Sequence, residues 1–269
     1  MSITPDALLL GPLALSWPNL ALLLGILTFI SLAARRGLES KGWWVLLATL
    51  LAARLGFALD HFGAWPSLGA ALLGIVDIRT GGWNWLWGLL GGLAVAAVVL
   101  RQKATALLVP ATLSLLMALI PLGIQQSLSR PADARQGLEG AVLAQLTKGQ
   151  TELSEVYWKD LPKPMLISLW ATWCASCRTH MPLLVEYQAR GYPIVLLNLG
   201  EQAQVIATYL QENRLAAQIT LDTANLHDAF QVAGLPTTLL IGPGGEVLAR
   251  QMGPLNRAQL EQLLRQLQQ

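Results

Sequence analysis

Apolar and polar positions alternate in two different rhythms along this chain. Residues 7–34 contain no charge, a run of 28 that exceeds what a bilayer crossing needs, and the basic pair Arg35-Arg36 follows the run. A secretory leader carries its basic residues first, so this order predicts a retained transmembrane helix near 13–34. Residues 42–59 (interrupted by Arg54), 83–100 and 104–124 predict three further spans, while 66–76 is apolar but short and reads as a re-entrant or interfacial segment. The rhythm then changes. Residues 127–136, with Pro131 and mixed charges, read as a linker. A short helix and edge strands near 151–156 are expected within 137–160. Residues 165–170 and 194–199 are short continuous apolar runs, the pattern of buried parallel strands. Residues 178–190 read as a helix kinked at Pro182. Helices over 202–213 and 224–232, strands over 218–221, 237–241 and 246–252, and a last helix capped by Asn256 with Gln259 in the capping-box position complete the pattern. The expected fold class is an α-helical membrane domain of about four transmembrane helices (1–126), a linker (127–136), and an α/β domain (137–269).

Charge sharpens that division. Residues 1–129 carry 7 Lys/Arg and 4 Asp/Glu, against 11 and 12 in residues 130–269. Arg35, Arg36, Lys41, Arg101 and Lys103 fall in two loops that share one side of a four-span arrangement, whereas the loop over 60–82 has only Arg79 against Asp60 and Asp77. The positive-inside rule places the basic loops in the cytoplasm, and both termini with the soluble domain on the periplasmic side of a bacterial inner membrane. Trp17, Trp65, Trp83, Trp85 and Trp87 then gather at the outer interface. Arg54 inside a span is a functional candidate, with snorkelling as the plain alternative. Together with Arg79 it is a candidate contact for lipid head groups. A net charge of +2, evenly spread, argues against nucleic acid as a partner.

The chemistry gathers at Trp170-Ala171-Thr172-Trp173-Cys174-Ala175-Ser176-Cys177, which holds both cysteines of the chain. A buried strand feeding Cys-x-x-Cys at a helix start is the thioredoxin redox motif. Cys174 would sit at the helix N-terminus, where free N–H groups and the macrodipole favour a thiolate, and is the expected nucleophile. Cys177, one turn further in and less exposed, is the expected resolving thiol. Other uses of the pair fit less well. A structural disulfide here would constrain little chain. Zinc needs about four ligands, with only His180 nearby as a third. Haem attachment needs His where Arg178 stands. No metal or cofactor is expected beyond the Cys174–Cys177 disulfide itself. The membrane half has no cysteine, so a separate thiol electron donor must reset the pair.

Residues 137–269 resemble the TlpA/ResA/DsbE group of membrane-tethered thiol–disulfide oxidoreductases. The likeness is carried by Lys163-Pro164, the Trp-Ala-Thr-Trp-Cys-x-x-Cys run, Pro182, Asn198-Leu199-Gly200-Glu201 and Leu235-Pro236-Thr237-Thr238. It implies a thioredoxin fold, a cis Leu235–Pro236 bond beside the sulfurs, and reduction of protein disulfides outside the cytoplasm. Trp173, Leu235 and Thr237 are then supporting residues. Two positions depart from the pattern. Ser168 stands where thioredoxins have a buried Asp, and His180 stands where the group often has Glu. His180 is a candidate proton shuttle, thiolate stabiliser or soft-metal ligand, or else a solvent-facing polar residue. Glu201 is a candidate proton relay, and His61 and His227 read as ordinary.

Residues 15–124 resemble the front half of prolipoprotein diacylglyceryl transferases, through Ala53-Arg54-Leu55-Gly56-Phe57, Ile75–Gly82 and Trp87-Gly88-Leu89-Leu90-Gly91. Leu86 stands where that family has its catalytic His, which implies a relic that anchors, binds membrane lipid or docks a partner. The expected activity is disulfide reduction by Cys174 and Cys177. Oxidation by the same pair, and a lipid- or partner-binding membrane module with the soluble domain as docking platform, are the alternatives.

Overall fold

The structure is a computed structural model that describes residues 2–10, 13–60, 83–100, 106, 108–128, 138, 140–147 and 152–267. It forms two compact units, one of residues 15–128 and one combining residues 1–14 with 129–269. Of the expected linker 127–136, Ser127 and Leu128 are helical, and residues 129–136, like the segment 66–76, lie outside the described residues.

In the helical unit, α1 (Trp17–Arg35) packs mainly on α4 (Leu108–Leu128), and α2 (Glu39–Asp60) on α3 (Trp85–Leu100). Helix α1 starts later than the apolar run suggests. The run's first part forms β2 (Ala7–Leu10) and β3 (Leu13–Ser16), and Pro18 opens the helix, where a missing N–H costs nothing. Helices α1, α2 and α4 are long and apolar enough to cross a membrane, and α3 is a shorter apolar helix. Large apolar side chains such as Leu51, Leu59, Leu86 and Val98 stand outward, 61–72% exposed, a surface suited to lipid rather than water. The α2–α3 seam is built from small residues. A methyl group on Gly88 would lie 2.9 Å from the Ala53 Cβ, and one on Gly91 or Gly92 would overlap Ala52 or Thr49. Asn84 caps α3 by accepting the N–H groups of Leu86 and Trp87, at 3.0 and 3.2 Å, and its amide donates to Asp60 at the end of α2.

The second unit is organised by a seven-stranded sheet: β4 (Val142–Leu146), β5 (Leu153–Tyr157), β6 (Met165–Trp170), β7 (Ile194–Asn198), β8 (Ile219–Leu221), β9 (Thr237–Ile241) and β10 (Val247–Met252), in the order β10-β9-β6-β7-β8-β4-β5. Central β6, β7 and β8 run parallel, and the outer strands are antiparallel. Every residue of β6 and β7 is buried, because apolar clusters cover both sheet faces. One face carries α5 (Ala175–Ala189) and α8 (Arg257–Gln266). Of the short helix expected within 137–160, Leu138 is helical and the residues on either side lie outside the described set; a 3₁₀ turn forms at Trp158–Asp160, after strands β4 and β5. The Ala, Leu and Gln of β4 favour helix locally, but pairing with β5 and β8 overrides that preference. The helix expected over 224–232 contracts to α7 (Leu226–Ala229), while α6 (Ala203–Glu212) and the Asn256/Gln259 capping box appear as expected. Residues 1–14 contribute β1 (Ser2–Ile3), which joins β2 and β3 in a small separate sheet.

Candidate active site

Strand β6 ends at Trp170, and a tight turn brings the Cys174 N–H to the Ala171 carbonyl at 3.2 Å. Cys174 is the N-cap of α5. Its backbone is extended, and its sulfur accepts the Cys177 N–H at 3.2 Å. The sulfurs of Cys174 and Cys177 are bonded to each other. Cys177 is fully buried and Cys174, at 6% exposure, is the less buried of the two. Pro182 lies inside α5, which continues past it to Ala189.

The antiparallel β6–β9 pairing sets Leu169 opposite Thr237, so the residues just before β9 meet the turn just after β6. Those residues are Leu235 and Pro236, joined by a cis bond. Leu235 packs against the cluster that contains both cysteines. Thr237 is buried and donates its hydroxyl to the Gly234 carbonyl at 2.7 Å, and Gly253 donates its N–H to Pro236 at 2.8 Å. Trp173, the residue before Cys174, is 70% exposed. Cys174, Cys177, Trp173, Leu235, Pro236 and Thr237 therefore belong to one end of the sheet.

Glu201 joins that end from the loop after β7, and its carboxylate accepts three hydrogen bonds. One carboxylate oxygen accepts the Thr172 N–H and the Asn198 amide, both at 2.7 Å, and the other accepts the Thr172 hydroxyl at 2.5 Å. Asn198 in turn accepts the Glu201 N–H at 2.9 Å. Thr172 lies two residues before the nucleophile candidate, so the carboxylate fixes the turn that presents the sulfur.

His180 departs from the solvent-facing reading, being 3% exposed on the sheet-facing side of α5 with Cys177, Met181 and Leu184. Its Nδ1 lies 3.3 Å from the Ser176 carbonyl, which only accepts, so Nδ1 carries the proton and Nε2 is a bare acceptor. Burial is the larger influence on the ring and holds its pKa below the usual 6.5, against the pull of that carbonyl. Nε2 finds no partner among the described protein groups, and neither do Ser168 Oγ, Trp170 Nε1 and Thr238 Oγ1. Ser168 and Thr238 face each other across β6 and β9. By the strand period Ser168 shares the α5 side with Leu166 and Trp170.

Three further polar residues had no motif to reveal them. Asp222 is buried and binds the N–H groups of Leu226 and His227 and the His227 ring, so it holds α7, and His227 is structural. Asp6 and Arg250 form a buried pair at 2.6 and 2.8 Å. The signal for Asp6 was its isolation as the only charged side chain in the first 34 residues. In the helical unit Arg54 is 5% exposed, its guanidinium 5.6 Å from the Trp83 ring centre, a burial that snorkelling does not describe. Arg79 and His61 lie outside the described residues. Among the described residues no group of three or more His, Cys, Asp or Glu side chains is arranged to hold a metal ion.

Known proteins resemble part of this chain. A profile described as the AhpC/TSA family matches residues 139–250. The thiol-disulfide oxidoreductase ResA of Bacillus subtilis is 27% identical over 141 residues, covering 51% of this chain and 74% of the relative. The protein of the same name from Oceanobacillus iheyensis is 30% identical over 118 residues, covering 42% of this chain and 62% of that relative, so less than two thirds of its length is spanned. The crystal structure of StoA from Bacillus subtilis aligns with 45% of this chain and 96% of its own, at 24% identity and a TM-score of 0.36. The second unit is a thioredoxin-like α/β domain with ResA-like relatives. Oxidoreductases of that type use a redox-active disulfide and need no external cofactor.

Proposed function

We infer that this chain is a thiol–disulfide oxidoreductase of the ResA type that works as a membrane-anchored reductase outside the cytoplasm. One observation carries the reading: the less buried member of a bonded cysteine pair caps a helix and receives the N–H of the fully buried member. In the reduced dithiol that same N–H, with the helix dipole, favours the Cys174 thiolate. The thiolate attacks one sulfur of a protein disulfide, forming a mixed disulfide and releasing the other sulfur as a thiolate that takes up a proton. Cys177, having lost its proton, attacks the Cys174 sulfur and releases the second substrate thiol. Two electrons and two protons have then passed to the substrate, and a dithiol donor from another protein returns them to the Cys174–Cys177 disulfide. Cys174→Ser should bring dithiothreitol-dependent insulin reduction to the uncatalysed rate, and Cys177→Ala should accumulate mixed disulfides. Reduction that survives Cys174→Ser would refute the assignment. Alkylation in living cells decides direction, since a largely free Cys174 thiol fits a reductase and a largely oxidised pair fits an oxidase.

The location follows from charge and connectivity. Residues 1–14 and 129–269 share one compact unit, which fits a chain that leaves one face of the membrane and returns to it through an even number of crossings. Among the described residues four apolar helices, three of them long, fit that count, and the basic loops favour the periplasmic face for both termini. The likeness of residues 15–124 to diacylglyceryl transferases supports a second role, retention of a membrane lipid, which the burial of Arg54 against Trp83 favours. Native mass spectrometry should then find a bound phospholipid that Arg54→Ala loses, and no such lipid would leave anchoring alone.

A further inference from the structure

We propose that residues 2–10 are a strap of the catalytic domain, in which Asp6 and Arg250 act as positioning residues for the Ala233–Pro236 loop beside the sulfurs. The inference rests on the oxidoreductase reading for its functional consequence, and on hydrogen bonds for its structure. Arg250 lies on β10, the edge strand of the sheet, opposite Leu239 of β9. Its Nε and Nη2 donate to Asp6 at 2.6 and 2.8 Å, and Nη2 also donates to the Phe230 carbonyl at 2.6 Å. Asp6 Oδ2 accepts the Ala233 N–H at 3.5 Å. The Asp6 side chain is 1% exposed and that of Arg250 12%, so the pair is held away from competing water. Thr4 and Ala7 bond to each other around it, and Ala7 is fully buried.

These bonds converge on one short stretch. Phe230 closes α7, Ala233 stands two residues before Leu235, and Gly253 holds the far side through the Pro236 carbonyl. The loop is thus gripped downstream by the sheet and upstream by a segment that precedes the first apolar helix. Both members of a thiol exchange must dock over this loop, because it meets the Cys174 turn at the same end of the sheet. A loosened loop weakens the docking of a protein chain, and it leaves the attack of Cys174 on a small, freely diffusing disulfide untouched.

The full chain, in detergent or nanodiscs, provides the test. Asp6→Ala should raise the KM for insulin about tenfold with kcat within about twofold, while the rate with 5,5′-dithiobis(2-nitrobenzoate) stays at the wild-type value. Asp6→Asn, which keeps the size and one acceptor, should fall between, and Arg250→Lys, which loses the fork to Phe230, should resemble Asp6→Ala. Hydrogen exchange in the same variants should rise at residues 233–238 and remain unchanged in α5. An unchanged KM with unchanged exchange overturns the proposal, as does an equal loss with both substrates, which marks general destabilisation. A wild-type chain that reduces neither substrate would instead overturn the oxidoreductase reading, and exchange at 233–238 would still decide the strap.

Discussion

Between α2 and α3 two backbones approach because side chains are absent: Gly88, Gly91 and Gly92 lie against Ala53, Ala52 and Thr49. Beneath α5 the space is filled instead, by Trp170, Met181, Leu184 and Leu196, each fully buried. The contrast fits the surroundings proposed for each half. In water a domain gains stability by removing large apolar side chains from solvent, about 25 cal/mol per Å². In lipid that gain disappears, and close contact between small residues takes its place. The polar groups follow suit. Among those of the α/β half Glu201 holds the turn before Cys174, whereas those of α2 and α3 (Asn84, Asp60, Arg54) tie the ends of two helices.

Enlarging a seam residue is the strongest way to break this comparison. Gly91→Leu should destabilise the helical unit by about 1–3 kcal/mol, since no space exists against Ala52. Thermal unfolding in detergent should record the loss, while reduction of a small disulfide by the soluble half stays at its normal rate. An equal loss in both halves would show that they do not fold separately. Next comes Glu201. Glu201→Ala should slow turnover about tenfold, roughly the effect of one mispositioned group. Glu201→Gln should remain within about threefold, because its oxygen still accepts Thr172 N–H and its amide donates to the Thr172 hydroxyl. A Gln variant as slow as the Ala variant would favour proton transfer over clamping. The smallest effect is a pH slope. Burial lowers the His180 pKa below 6.5, so at acid pH the unfolded chain takes up a proton that the folded ring resists. Its contribution to stability is complete above about pH 6.5 and is lost as pH falls below that value. The melting temperature of wild type should therefore drop more between pH 7.5 and 5.5 than that of His180→Leu.

Much of the soluble fold was legible because its signals are local. Apolar runs marked β6 and β7, the position of Cys174 between a strand and a helix marked its capping role, and Asn256 announced α8. Where local and distant forces disagree, the sequence misleads. Residues 7–16 continue the apolar, charge-free run of α1, yet Pro18 starts the helix and the earlier residues pair as strands. Residues 142–146 favour helix by composition, yet pair with strands on both sides. Within the site, the cysteines and Pro236 carry recognisable spacing. Glu201 was visible as a charge but not as a clamp, because its partner Thr172 is 29 residues distant. The Asp6–Arg250 pair spans 244 residues, beyond any periodicity or motif.

The unequal burial of the two cysteines has a kinetic corollary for the proposed cycle. With Cys177 fully buried, an oxidised substrate and a reducing donor would call at the same opening, each waiting for the other to depart. Turnover is then double displacement: reciprocal plots at several donor levels run parallel, and surplus donor competes with substrate for the one berth.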